Sequence, residues 1–184
     1  FMATRHGTMS TMSKRLITIT RELSKGVDTL SFSEPVAFVY NPLKYAWKSH
    51  RSFLQKYGGG KGRVLLIGMN PGPWGMAQTG VPFGEVANVH TFLGIEERVK
   101  QPELIHPKRP IQGFDCPRSE VSGRRVWEWA RKRYGSAERF FENFFILNYC
   151  PLCFMEEGGK NRTPDKLKPE ERDAVFEVCD VALR

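Results

Sequence analysis

The sequence predicts an α/β fold with parallel strands, and three features of the chain carry that prediction. Val64-Leu65-Leu66-Ile67 is a continuous apolar run that stops at a loop of glycine and proline, Gly68-Met69-Asn70-Pro71-Gly72-Pro73-Trp74-Gly75-Met76. Phe144-Phe145-Ile146-Leu147 is a second such run, stopped by Asn148. Hydrophobicity that is continuous rather than alternating suits a strand covered on both faces, as strands of parallel sheets are. Between the runs, Val126, Trp127, Ala130 and Tyr134 recur at helical spacing and supply a crossover helix. A strand, a crossover and a second strand of one sheet lie parallel with a right-handed connection. Asn70 and Asn148 are therefore expected on one edge of the sheet, outside the carboxyl ends of the strands, where open α/β sheets bind ligands.

The remaining elements follow in chain order. The opening segment, with Phe1, Met2 and Arg5 among several Ser and Thr, has no apolar stretch of the secretory kind and reads as a flexible basic tail. Leu16, Ile19 and Leu23 predict a short helix from about Ser13 to Lys25, closed by Gly26. Residues 1–25 are thus tail and short helix, and 26–184 a single domain. Val36 to Tyr40 is strand-like, and Asn41-Pro42 supplies a cap and a first-turn proline. Leu43, Trp47, His50, Leu54 and Tyr57 then share one helix face, with His50 a packed histidine there and Gly58 the stop. The glycines from Gly58 to Gly62 precede a strand instead of following one, so they make a turn and no phosphate cradle. The chain is expected to be irregular through Val81-Pro82-Phe83-Gly84 and again over residues 101–117. Ser119 or Ser122 is the expected cap of the crossover helix, whose Arg131, Lys132 and Arg133 face solvent. Glu156 to Pro164 reads as a charged loop. Pro169 opens a last helix, with Glu170 and Glu171 at its positive end and Val175, Val178, Cys179 and Ala182 as its stripe.

Composition bounds the function. With 184 residues, 40% hydrophobic and 26% charged, the chain suits one globular domain, and no apolar stretch is long enough to cross a bilayer. A formal net charge of +8 favours an anionic partner such as nucleic acid. Cys116, Cys150, Cys153 and Cys179 include one closely spaced pair but no second pair with metal spacing, and the four histidines are scattered, so the thiols read as buried and reduced.

The residues gathered at the strand ends suit a neutral, planar ligand with a hydrogen-bonding edge. An Asn offers both a donor and an acceptor, so Asn148 matches both kinds of group on a pyrimidine edge. Phe83 is placed to stack on a flat ring. Gly72 and Gly75 let backbone approach closely because no Cβ intervenes. Residue types alone leave a second reading open, in which the asparagines cap turns and Phe83 belongs to the core.

The stretch from Gly68 through Val86, together with His106-Pro107-Lys108-Arg109-Pro110, Ser119-Glu120-Val121-Ser122-Gly123 and Asn148-Tyr149-Cys150-Pro151-Leu152, closely resembles the single-strand-selective monofunctional uracil-DNA glycosylases. The resemblance runs from about Phe32 to the end of the chain. The Gly-x-Asn-Pro-Gly loop also fits the mismatch-specific thymine or uracil glycosylases, but the extension from Trp74 to Val86 favours the first family. Classical uracil glycosylases, with an Asp where Asn70 stands, are more distant.

The resemblance implies a three-layer sandwich with a central, mostly parallel sheet flanked by helices. It also implies base-excision repair: hydrolysis of the N-glycosidic bond of uracil, and of oxidised uracils such as 5-hydroxymethyluracil, in single- and double-stranded DNA after base flipping, with no lyase step. Asn70 would position the attacking water, Phe83 would stack on the flipped base and Asn148 would read its edge. Met69 would offer a backbone amide, and Gly72 room beside the pyrimidine. The protein would be a nuclear monomer acting on DNA containing uracil or oxidised uracil, away from membranes, with no metal or cofactor.

The family's second motif, a His-Pro-Ser-Pro-type loop, and its intercalating wedge have no counterpart before Arg184, so the C-terminal strands are expected to be missing. A catalytically defective DNA-binding or interaction fragment is the alternative reading. His106 falls where the family has a structural loop, and Glu85 has no assigned role beyond a turn or surface position.

Overall fold

The computed structural model describes residues 9–184, so the tail expected to hold Arg5 falls mostly at positions 1–8, outside the described residues. The fold is α/β, with two small sheets joined by helices. In the first sheet, β2 (Val64–Gly68) pairs in parallel with β3 (Phe144–Asn148). The register sets Gly68 opposite Asn148, so Asn70 and Asn148 do leave the sheet at one edge. The chain between them contains α4 (Met76–Thr79), α5 (Val86–Thr91), α6 (Val121–Tyr134) and α7 (Ala137–Asn143). In the second sheet, β4 (Cys153–Met155) pairs antiparallel with both β1 (Phe38–Tyr40) and β5 (Asn161–Arg162).

β2 departs from the expectation that it is buried on both faces. Val64, Leu65 and Ile67 are 58%, 50% and 48% exposed, and only Leu66 packs against the core. Each strand is the other's one ladder partner among the described residues, and it is β3 that the core covers. Phe145 and Ile146 of β3, whose side chains point to opposite faces, are both buried. The burial that the apolar pattern suggested for both strands belongs to β3.

The helices show three further differences. α1 (Thr11–Asp28) starts where the Ser10 hydroxyl accepts the Ser13 N–H at 3.0 Å. It also runs past Gly26, which does not stop it. A Cβ at Gly26 would come within 2.8 Å of Val178 Cγ1, so the glycine is where α1 meets α8 (Pro169–Leu183) closely. The helix beginning at Pro42 is two helices, α2 (Pro42–Tyr45) and α3 (Trp47–Tyr57), broken at the wholly buried Ala46. The backbone of Gly80 lies against that break, where a Cβ would sit 2.7 Å from the Ala46 carbonyl. α6 is capped by neither serine. The Glu120 carboxylate accepts from the Ser122 and Gly123 N–H groups at 3.2 and 2.6 Å.

The main core joins Trp127 of α6, Phe140 and Phe141 of α7, Phe53 of α3 and the two inner residues of β3. A second cluster, with Val27, Phe154, Val175 and Cys179, locks α1 and α8 onto β4. All four cysteines are free and buried. Among the described residues no helix is long and apolar enough to cross a membrane.

Candidate active site

β2 and β3 end together, and hydrogen bonding continues beyond them. Tyr149 N–H donates to the Gly68 carbonyl at 2.8 Å and Cys150 N–H to the Met69 carbonyl at 2.9 Å. This ladder holds the Asn70 loop in place. The Asn70 amide is itself fixed: Nδ2 donates to the Leu152 carbonyl at 3.0 Å and to the Arg162 carbonyl at 3.3 Å, on either side of the β4–β5 hairpin. With both amide protons engaged, Oδ1 is the acceptor left over, and no group among the described residues donates to it.

A cavity of ≈270 Å³ opens in front of this loop, lined by Met69, Asn70, Gly72, Phe83 and Asn148 together with Gly68, Glu120 and Asn161. All five residues singled out from the sequence thus share one cavity. Asn148 donates from Nδ2 to the Met76 sulfur at 3.1 Å, a weak acceptor that leaves the amide open to a better partner. The Met69 and Phe83 N–H groups have no acceptor among the described residues.

Phe83 has a left-handed backbone, φ 53°, a conformation costing about 1–3 kcal/mol outside glycine. Two donors hold it there. The Trp127 indole N–H and the Glu85 N–H both reach the Phe83 carbonyl at 2.8 Å. Gly123 completes the fit, because a Cβ there would collide with the same carbonyl. The ring edge lies over Gly68, where a Cβ would approach Phe83 Cε2 to 2.7 Å and collide with Asn148 Oδ1. Gly68, Gly123 and Trp127 are the site-building residues that sequence reasoning missed. The available signal was a glycine ending a strand opposite an asparagine. Gly75 clears space for Glu120, whose Cγ would lie 3.0 Å from a Cβ there, while Gly72 lines the cavity.

The histidine of the Pro-rich loop does not serve this cavity. His106 is wholly buried, its Nδ1 accepts the Lys108 N–H at 2.9 Å, and its Nε2 faces the Glu156 and Glu157 carbonyls at 3.1 and 3.0 Å. Both ring nitrogens are engaged in holding loops together. Glu85 is not a surface residue. Buried, it caps α5 by accepting from the Asn88 N–H and side-chain amide, and it takes the Ser119 hydroxyl at 2.9 Å. Cys153 makes no redox or metal pair with Cys150, and burial pushes its thiol up to about 12. Among the described residues no cluster of His, Cys, Asp or Glu is arranged to hold a metal.

Proteins of similar sequence identify the family. Over 154 residues, 84% of the chain, it is 51% identical to the single-strand selective monofunctional uracil DNA glycosylase of Bos taurus. Over 161 residues, 88% of the chain, it is 47% and 48% identical to the enzymes of that name from Mus musculus and Rattus norvegicus. Across the matched stretch the chain belongs to this family. It spans 57–58% of the length of these relatives. No protein-family model matches it. Its fold is similar to the crystal structure of Pedobacter heparinus SMUG2, with a TM-score of 0.60 over 90% of this chain and 68% of that one, at 23% identity. That likeness bears on the fold alone.

Proposed function

We propose that the chain carries the base pocket and water-positioning side of a monofunctional uracil-DNA glycosylase. The observation that supports this best is one cavity lined together by Asn70, whose Oδ1 has no donor, by Asn148, by Phe83 and by Met69. A uracil flipped out of the helix would lie against Phe83, where stacking contributes roughly 1–3 kcal/mol. Asn148 would accept from the ring N3–H and donate to O4, so the amide reads the edge in both directions.

The chemistry needs little base strength. The C1′–N1 bond breaks with its electron pair passing to the uracil ring, the sugar becomes cationic, and water adds to C1′ and gives up a proton that passes, through solvent, to the departing uracil anion. A neutral amide cannot take that proton, but it can fix the water on the correct face. Orientation of this kind supplies a large part of such barriers. The Met69 and Phe83 N–H groups would donate to the oxygen on which negative charge collects as the base departs, and fixed donors aimed at developing charge are a strong source of rate. No lysine lines the cavity among the described residues, in keeping with hydrolysis without a lyase step. No step requires a metal or cofactor.

The same reading extends to a three-layer sandwich around a mostly parallel sheet, to oxidised uracils as further substrates and to a nuclear monomer. It is tested on a uracil-containing oligonucleotide with the full-length protein. Asn70→Ala is expected to abolish uracil release while DNA binding survives, because the change removes the water's partner and leaves Phe83 and Asn148 in place. Release at the unsubstituted rate would overturn the assignment.

A further inference from the structure

A buried glutamine fastens two loops beside the cavity. Gln78, wholly buried, donates from Nε2 to the Pro73 and Pro110 carbonyls, each at 2.9 Å. Its Oε1 accepts from the Gln112 and Gly113 N–H groups at 2.8 and 3.2 Å. All the polar capacity of one side chain thus ties the loop bearing Trp74 to the loop bearing Arg109. The guanidinium carbons of Arg109 and Arg118 stand 5.3 and 5.0 Å from the centroid of the Trp74 ring.

Two members of this group are close along the chain to residues that line the cavity. Trp74 follows the lining residue Gly72 by two positions, and Arg118 precedes the lining residue Glu120 by two. Lys108, exposed, is next to Arg109. Some cations elsewhere face acids, as with Lys44 and Asp28, Arg162 and Glu156, and Arg172 and Asp173. No carboxylate among the described residues pairs with Lys108, Arg109 or Arg118. Gathering positive charge around one ring without a counter-ion is unfavourable by itself, and it becomes favourable when an anion arrives. The indole holds the guanidiniums in place meanwhile by cation–π attraction.

We propose that Arg109 and Arg118, steadied on Trp74, form a phosphate-binding site for the nucleic-acid backbone beside the nucleotide that enters the cavity. The guanidinium fork suits phosphate oxygens, and such contacts position a strand without reading its sequence. The inference rests on the reading of the cavity as a base pocket, but its test does not. Binding of a uracil-free oligonucleotide is measured across a range of potassium chloride for the full-length protein and for the double variant Arg109→Gln, Arg118→Gln.

Losing the one phosphate contact that the two arginines share should flatten the slope of log K against log[salt], by about 0.7 on single strands and about 0.9 on duplex. The double variant is expected to show this flattening, and the pair Arg109→Lys, Arg118→Lys to keep most of the original slope. An unchanged slope in the glutamine variant overturns the proposal. So does a lysine variant that flattens as fully as the glutamine one, because the change then reports disturbed packing around Trp74 rather than missing charge. Failure of the base-pocket reading would show separately, as unchanged uracil release by Asn70→Ala.

Discussion

Phe83 states the logic of the site at the scale of single residues. It is the one non-glycine residue with left-handed backbone among those described, and Trp127 and Glu85 hold its carbonyl in the room that Gly123 leaves. Two glycines around it should therefore fail differently. In Gly68→Ala the new methyl meets the movable ends of Phe83 and Asn148, which can swing aside only by leaving the places where they would hold a base. Losing a stacking interaction of roughly 1–3 kcal/mol predicts uracil release slower by about ten- to hundredfold at limiting DNA, with the melting temperature little changed. In Gly123→Ala the methyl meets backbone, so the cost falls on stability, about 1–3 kcal/mol as for overpacking generally, visible as a lower urea midpoint. Equal effects of the two changes on release and melting would count against this division. The sequence pointed to Asn70, Phe83 and Asn148 because an amide or an aromatic at a strand end is conspicuous. It gave Gly68, Gly123 and Trp127 no part in the site, because their roles there arise from what packs over them.

At the scale of elements, the parts legible in the sequence were those long enough to show a period. β2, β3, α6 and α8 carried their apolar patterns openly, and the parallel pairing that sets Asn70 and Asn148 at one edge followed from them. α4 and α5 span four and six residues and β5 only two, too short for any periodicity, and they went unseen. Their stability is tertiary. α5 depends on Glu85, whose carboxylate takes two donors from Asn88 and one from Ser119. Glu85→Ala would strand those donors in a buried place and should cost about 2 kcal/mol, seen as a lower urea midpoint. Glu85→Gln keeps one acceptor and should recover part of the loss. An alanine variant as stable as the parent would show that α5 does not need its cap. Burial of β2 was misread for a related reason: an apolar run shows what a strand can bury, while its neighbours decide what it does bury.

At the scale of the whole molecule, α3 is joined to the loop following α4 by one buried histidine, and that joint should make folding sensitive to pH. His50 is held by a 2.8 Å contact between its Nδ1 and the Gly80 carbonyl, with Trp47 and Phe53 as ring neighbours. Burial holds its imidazole down at about 4, against an ordinary value of 6.5. As pH falls, the unfolded chain takes up this proton before the folded one can. Stability from keeping His50 neutral is therefore complete above about pH 6.5, declines as the medium acidifies, and is gone below about pH 4. The full span corresponds to about 3 kcal/mol. The window above pH 5 is the cleanest place to look, because the carboxylates held below their ordinary values, Asp165 and Glu171, lose their contribution only at lower pH. Urea midpoints should fall between pH 7 and pH 5, and His50→Gln, whose amide can still donate to Gly80, should flatten that decline while lowering stability at neutral pH. If the parent protein kept a constant midpoint across the window, protonation of His50 would not be what acid does to this fold.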